Sequence, residues 1–314
     1  MKISVKVPAT TANLGAGFDC LGMALPIYNT ITIEETVLPG TGIEINVIND
    51  ENVSNDLILE HVPQDENSII YKAVELLYNS IGQIPGELKI TVQSQIPIAR
   101  GLGSSASVIV GGLLAANELL GKPADEVALL SIATEVEGHP DNVTPAIVGG
   151  LVLSSLEDDG RVIYTKLDWP DEWAITVCVP DFELSTDIAR SVLPKEVPMQ
   201  DAVFNAKRLG MFVQAVNTHN EDLMRLALQD KLHQPYRMKL VPGLEKIADN
   251  LKHEEDVLGC VLSGAGPSIL IISRKNNLDK IKSIVKDTWD EYNVKVNIMT
   301  LPVETQGAVV IGDE

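Results

Sequence analysis

A chain of 314 residues, 45% hydrophobic and 22% charged, can bury about three quarters of its surface without disulfide or metal staples, and its composition excludes disorder of the chain as a whole. Its 24 basic against 44 acidic side chains leave a net charge of -20, which opposes nucleic acid and anionic membrane over most of the surface; a polyanionic ligand then needs a local pocket of opposite sign. Cys20, Cys178 and Cys260 form no C-x-x-C pair, which argues against a disulfide framework or zinc site and for a reducing, cytoplasmic home.

The alternation Ile3, Val5, Val7 opens the chain as a strand, and β-branched stretches predict strands over 2–7, 28–36, 42–48 and 87–94. The longest apolar run, 108–116, is far below the ~18 residues that span a bilayer, so no export signal or membrane anchor is expected. Ile69, Ile70, Ala73, Leu76, Leu77 and Ile81 recur at helical spacing, and further helices are expected over 104–120 and 124–136. Residues 147–154 read as a strand that pairs with 161–166 across Asp158-Asp159-Gly160. The acidic, Trp-containing stretch 168–173 reads as a junction, giving units 1–168 and 169–314. In the second unit, helices are expected over 201–231, 242–252 and 278–290, with strands over 173–180, 257–263, 268–273, 293–301 and 307–311. The class is α+β, the second unit an open sheet covered on one face by helices.

The sharpest chemical feature is residues 96–107, Ile-Pro-Ile-Ala-Arg-Gly-Leu-Gly-Ser-Ser-Ala-Ser, which follow a strand and open an apolar helix. Gly101 and Gly103 allow a tight turn and close approach of a ligand, while the first-turn amides and the helix dipole favour an anion. The plain alternative is a strand-to-helix turn with a serine cap, but a cap needs one serine and this segment has two. Gly121-Lys122 is followed by Pro123, so a Walker-type phosphate loop is absent. Asn13 and Asp19 sit in a glycine-containing loop after the first strand, and His139-Pro140-Asp141-Asn142 reads as a polar loop. His61, His219, His233 and His253 share no metal-ligand spacing.

Residues 97–106 resemble the phosphate loop of the GHMP kinases, the superfamily of galactokinases, mevalonate kinases and homoserine kinases. Residues 7–22, Val-Pro-Ala-Thr-Thr-Ala-Asn-Leu-Gly-Ala-Gly-Phe-Asp-Cys-Leu-Gly, resemble the first motif of the homoserine kinase family nearly residue for residue. Residues 137–146, Glu-Gly-His-Pro-Asp-Asn-Val-Thr-Pro-Ala, are similar to that family's substrate-side segment, and 262–268, Leu-Ser-Gly-Ala-Gly-Pro-Ser, to the third superfamily motif.

The resemblance implies a GHMP kinase fold: an N-terminal domain like ribosomal protein S5 domain 2, a C-terminal ferredoxin-like domain, and an active site in the cleft between them. It implies ATP-dependent phosphorylation of L-homoserine to O-phospho-L-homoserine in threonine biosynthesis, with Mg2+. ATP would rest on Pro97, Ile98, Ala99, Arg100, Gly101, Leu102, Gly103, Ser104, Ser105, Ala106 and Ser107, with Asn67 at the adenine. Substrate would meet Asn13, Asp19, His139, Asp141, Asn142, Arg190, Arg237 and Gly264, with Asp19 on the α-ammonium and the two arginines on the carboxylate. Ser105 and Glu137 would approach the metal, Glu135 being the alternative acid. The catalytic set would be Asn142, Asp141, Ser105 and Glu137, with Asp141 either touching substrate or only positioning His139.

Several relatives carry an aspartate base where Asn142 falls, and others a lysine near Thr10; neither aid exists here, so a conventional general base is not expected. An apolar edge on the helix near 203–231 suits a homodimer. The competing readings are a GHMP kinase for another alcohol and a nucleotide-binding regulator without turnover.

Overall fold

The computed structural model describes residues 1–39, 43–49, 63 and 65–312; residue 42, at the start of one expected strand, and His61 lie outside them. Two sheets organise the chain. The first runs β11-β1-β2-β4-β3, built from β1 (Lys2–Asn13), β2 (Gly17–Pro39), β3 (Ile43–Asn49), β4 (Gly86–Ser94) and β11 (Val309–Val310), with β5 (Leu151–Leu156) on β2 and β6 (Val162–Leu167) on β5. The second runs β10-β7-β9-β8, from β7 (Trp173–Pro180), β8 (Val257–Leu262), β9 (Ile269–Arg274) and β10 (Val296–Leu301). The first sheet's consecutive strands thus end at Leu167 and the second begins at Trp173, but β11 returns to β1, with Val5 opposite Val310.

Inward residues of β1, β2 and β4, among them Val5, Val7, Ile31, Ile33 and Ile90, form one core with helices α1 (Ile69–Ser80), α2 (Ser104–Leu119), α3 (Glu126–Glu137) and α4 (Pro140–Val148). Helix α1 is amphipathic in the ordinary way, burying Ile70, Ala73, Val74, Leu77 and Tyr78. Helix α2 is apolar almost all round and lies in the middle of this core, which is why it tolerates two interior glycines and so few charges. The strand expected over 147–154 is a correction: α4 runs through Val148, Gly149 and Gly150 turn the chain at φ 71° and 82°, and only then does β5 begin. The β-branched residues of 143–148 mislead a propensity reading, whereas Pro140 at the helix start and buried packing decide for helix.

Every residue of β7 is buried, so the second sheet is covered on both faces rather than one. Cys178, Ile269 and Ile271 pack against α9 (Leu244–Leu251) and α10 (Leu278–Glu291). Ile175, Val177, Leu270 and Ile272 pack against α6 (Met199–Thr218) and α7 (Glu221–Ala227), together with the ends of β1 and β2. The single helix expected over 201–231 is two, because His219 turns the chain at φ 53° and the Asn220 side chain caps α7. Two short helices, α5 (Thr186–Ser191) and α8 (Gln234–Arg237), stand where this unit meets the first sheet. Among the described residues no helix is long and apolar enough to cross a membrane.

Candidate active site

A cleft of about 430 Å³ opens where the start of α2, the β1–β2 turn, the start of α4, helices α5 and α8 and the 263–268 loop converge. Gly103 begins α2 at φ 66° and no side chain caps the helix, which leaves its leading amides for a ligand. Both loop glycines are demanded by contact as well as by φ. A Cβ on Gly101 would come within 2.2 Å of the Ser263 carbonyl oxygen, and one on Gly103 within 2.0 Å of Thr10 Oγ1. The loop is fastened from three sides: Leu102 O accepts from Thr10 N, Arg100 O from Ser268 N and Ala99 O from Leu184 N.

Arg100 contributes its backbone rather than its charge. Its guanidinium donates to the carbonyls of Ile98, Pro180 and Asp181 and pairs with Glu183 at 3.4 Å, stapling the loop to the end of β7. Of the residues expected around ATP, Ala106 and Ser107 are buried within α2, Ser107 bonded to Asn29, and Asn67 is exposed and bonded to Asp65. Ser68 and Ile69, beside Asn67, line the cleft instead.

Ser105 Oγ donates to Glu137 Oε2 at 2.7 Å. Glu137 is the last residue of α3, where the helix dipole disfavours an acid, and burial pushes its pKa up against the opposing pull of Ser105 and His139. Glu135 is exposed on the same helix. His139, Asp141 and Asn142 are not on a loop but at the head of α4. Asp141, 1% exposed, accepts from His139 Nδ1 at 2.6 Å. Burial alone would pull the His139 pKa down, but the hydrogen bond and charge of Asp141, with Glu137, carry it above its ordinary value. Asn142 Oδ1 accepts from Thr10 Oγ1 at 2.8 Å, so its amide NH2 is the part left to face a ligand.

At the far end, Arg190 grips Asp19 with two guanidinium nitrogens, at 2.8 and 3.3 Å, so two groups expected to bind substrate separately are already joined. Arg237 is 2% exposed and donates to the carbonyls of Ala189 and Gly264; Asn13 Nδ2 shares the Gly264 carbonyl at 2.9 Å. Arg237 has no carboxylate at ion-pair distance among the described residues. Burial first, and then Arg190, pull its pKa below the usual arginine range. A buried guanidinium so placed gains from an incoming anion. Thr10, in the Ala-Thr-Thr-Ala stretch of β1, is a site residue given no role from sequence; its hydroxyl is wholly buried in the fold and donates to Asn142. The acids and histidines of the cleft form no ready-made metal cage, and no group of three or more acids, histidines or cysteines placed to hold a metal occurs among the described residues.

The two-sheet α+β fold with an uncapped Gly-Leu-Gly-Ser-Ser helix start defines the GHMP kinase class. The model of the GHMP kinases N terminal domain matches residues 68–150, and that of the GHMP kinases C terminal matches 211–291. The homoserine kinase of Caldicellulosiruptor saccharolyticus is 44% identical over 310 residues, 98% of this chain and 96% of that protein. The homoserine kinase of Microchaete diplosiphon is 40% identical over 306 residues, again 98% and 96%. The crystal structure of homoserine kinase from Cytophaga hutchinsonii superposes with a TM-score of 0.86 at 29% identity, covering 99% of this chain and 97% of that one. The chain belongs to the homoserine kinase family of the GHMP kinases, and it is a kinase.

Proposed function

We propose that the protein transfers the γ-phosphoryl group of ATP to the hydroxyl of L-homoserine, giving O-phospho-L-homoserine and ADP. The observation that carries this reading is the meeting, in one cleft, of an anion-binding helix start with a set matched to a small zwitterion: Asp19, Arg190 and Arg237, the last with no carboxylate at ion-pair distance among the described residues. The polyphosphate lies on the amides that begin α2, and the substrate carboxylate takes the place beside Arg237 that no acid among the described residues fills. The substrate ammonium faces Asp19, which keeps lone pairs beyond those given to Arg190.

Between these ends, Asn142 directs its amide toward the hydroxyl, held by the bond from Thr10. Neither residue accepts a proton at neutral pH, so positioning and charge stabilisation supply the rate, and the hydroxyl proton leaves late, to a phosphate oxygen. Asp141 acts on substrate through His139, whose raised pKa favours a cation beside the transferring group. Ser105 and Glu137 offer one hydroxyl and one carboxylate oxygen, a hard and incomplete set that suits Mg2+ shared with phosphate oxygens and water. When bound, the ion would supply charge neutralisation to the polyphosphate, and Glu137, disfavoured at its helix end, would gain a counter-charge.

We further assign nucleotide binding to residues 1–168 and the two substrate arginines to 169–314. Three free thiols suit a reducing cytoplasm. Met199 and Val203, exposed on α6, support a homodimer along that helix, read by light scattering. An ADP-release assay with homoserine, mevalonate and galactose in parallel tests the function: turnover of homoserine alone is expected, and tight ATP binding with no phosphohomoserine by phosphorus NMR means a regulator.

A further inference from the structure

Behind the two arginines lies an aromatic pair that the phosphoryl transfer does not use. Phe18, the second residue of β2, stacks on His233 with ring centroids 5.1 Å apart and planes inclined by 21°. The same ring has the guanidinium carbon of Arg237 5.2 Å from its centroid and that of Arg190 at 5.7 Å. One aromatic face system therefore touches both groups that await the substrate carboxylate.

The pair is rigidly held. His233 is wholly buried and its Nε2 donates to Gly15 O at 2.8 Å, while its Nδ1 has no hydrogen-bond partner among the described residues. That bond ties down a turn in which Asn13, Leu14 and Gly15 all have positive φ, at 71°, 44° and 83°, a strained run that persists only when its surroundings fix it. Asp230 accepts the amides of Leu232, His233 and Gln234, setting the start of α8, the helix that ends in Arg237. The histidine beneath Phe18 and the arginine beside it are thus placed by one carboxylate.

Two guanidiniums facing one pocket repel, and among the described residues Arg190 has an acid at ion-pair distance, Asp19, while Arg237 has none. A second acid would relieve the repulsion but would occupy the arginines in place of a ligand. The electron-rich face of an aromatic ring relieves it without a formal charge. A cationic histidine underneath would undo the benefit; burial keeps His233 below its ordinary pKa and so neutral.

From this geometry we infer that Phe18 is a specificity-determining positioning residue: its ring, seated on His233, holds Arg190 and Arg237 at the spacing that takes an α-carboxylate, and so favours amino-acid alcohols over alcohols that lack one. The inference rests on the homoserine kinase reading above. The test compares the native protein, Phe18→Leu and Phe18→Tyr on L-homoserine and on L-homoserinol, which replaces the carboxylate by a hydroxymethyl group. Phe18→Leu is expected to raise the KM for homoserine about tenfold, the order of a desolvated cation–π contact, with kcat and the KM for ATP within about twofold. Phe18→Tyr restores the native KM, and on homoserinol the Leu variant and the native protein have equal kcat/KM. A Leu variant with native KM for homoserine, or an equal loss on both substrates, overturns the role of Phe18 while leaving the kinase intact. A native protein that does not phosphorylate homoserine overturns the reading beneath it.

Discussion

Ser105 and Glu137 meet at 2.7 Å across the opening of the cleft, joining the first turn of one helix to the last residue of another. The pairing runs against local preference, because an acid at a helix C-terminus opposes the dipole and this one is desolvated as well. The cation proposed for this pair would offset that cost.

Replacement of Glu137 by glutamine keeps the shape and removes the charge. Turnover is expected to fall by about two orders of magnitude, as for loss of one charged group acting on a transition state, with a higher magnesium concentration for half activity. Stability should move the other way. A carboxyl whose folded pKa is raised stabilises fully below its unfolded value and loses that contribution as pH rises through the folded value, so at neutral pH the glutamine variant melts at a higher temperature. A lower melting point, with native magnesium dependence, contradicts both halves.

Asn142→Ala removes the amide proposed to face the hydroxyl and leaves Thr10 without its Asn142 acceptor. The chemical step is expected to slow by roughly 10² or more in single-turnover experiments, by analogy with loss of one positioned donor. Calorimetric ATP affinity should stay within about twofold; parallel loss of nucleotide affinity argues against the assignment.

Arg237→Leu is a poor probe, since it also strands the carbonyl of Ala189, at about 1–3 kcal/mol for an unsatisfied group, and leaves the Gly264 carbonyl with Asn13 as its one remaining side-chain donor among the described residues. Arg237→Lys keeps the charge but not the planar fork. It is expected to raise the KM for homoserine by about one to two orders of magnitude with the KM for ATP nearly unchanged, and steady-state kinetics separate this from a general loss.

The His139–Asp141 contact sets a pH signature. The His139 pKa is raised by Asp141, against burial, so its stabilising contribution is complete below about 6.5 and is lost as pH rises through the higher folded value. Asp141→Asn should bring the His139 proton resonance to titrate at a lower pH than in the native protein, and flatten the stability profile on the alkaline side. An unchanged titration midpoint by NMR defeats this account.

Helices α1, α2 and α3 were legible because each carries its own period, and the phosphate loop because glycine and serine spacing is a local signal. The alternating pattern predicts the first strand only to residue 7, whereas β1 continues to Asn13. Its extension carries Thr10 and Thr11, polar side chains at 0% exposure that look wrong for a core strand until their partners are known. Those partners are Asn142, 132 positions away, and Ser263, 252 away, and no window of sequence contains either pair. The same distance hid the Asp19–Arg190 fork and the turn of the Arg100 side chain into the end of β7.

By itself the sequence determined the elements with strong periodicity, the α+β class and the glycine-serine start of α2, since all of these follow from neighbours within a few turns of chain. Only the tertiary structure decided which charges pair with one another and which stay open, that Glu137 and not Glu135 reaches Ser105, and that Phe18 lies beneath two arginines. Those outcomes depend on desolvation and on contacts between segments far apart in sequence, and both exist only once two sheets have closed around a shared cleft.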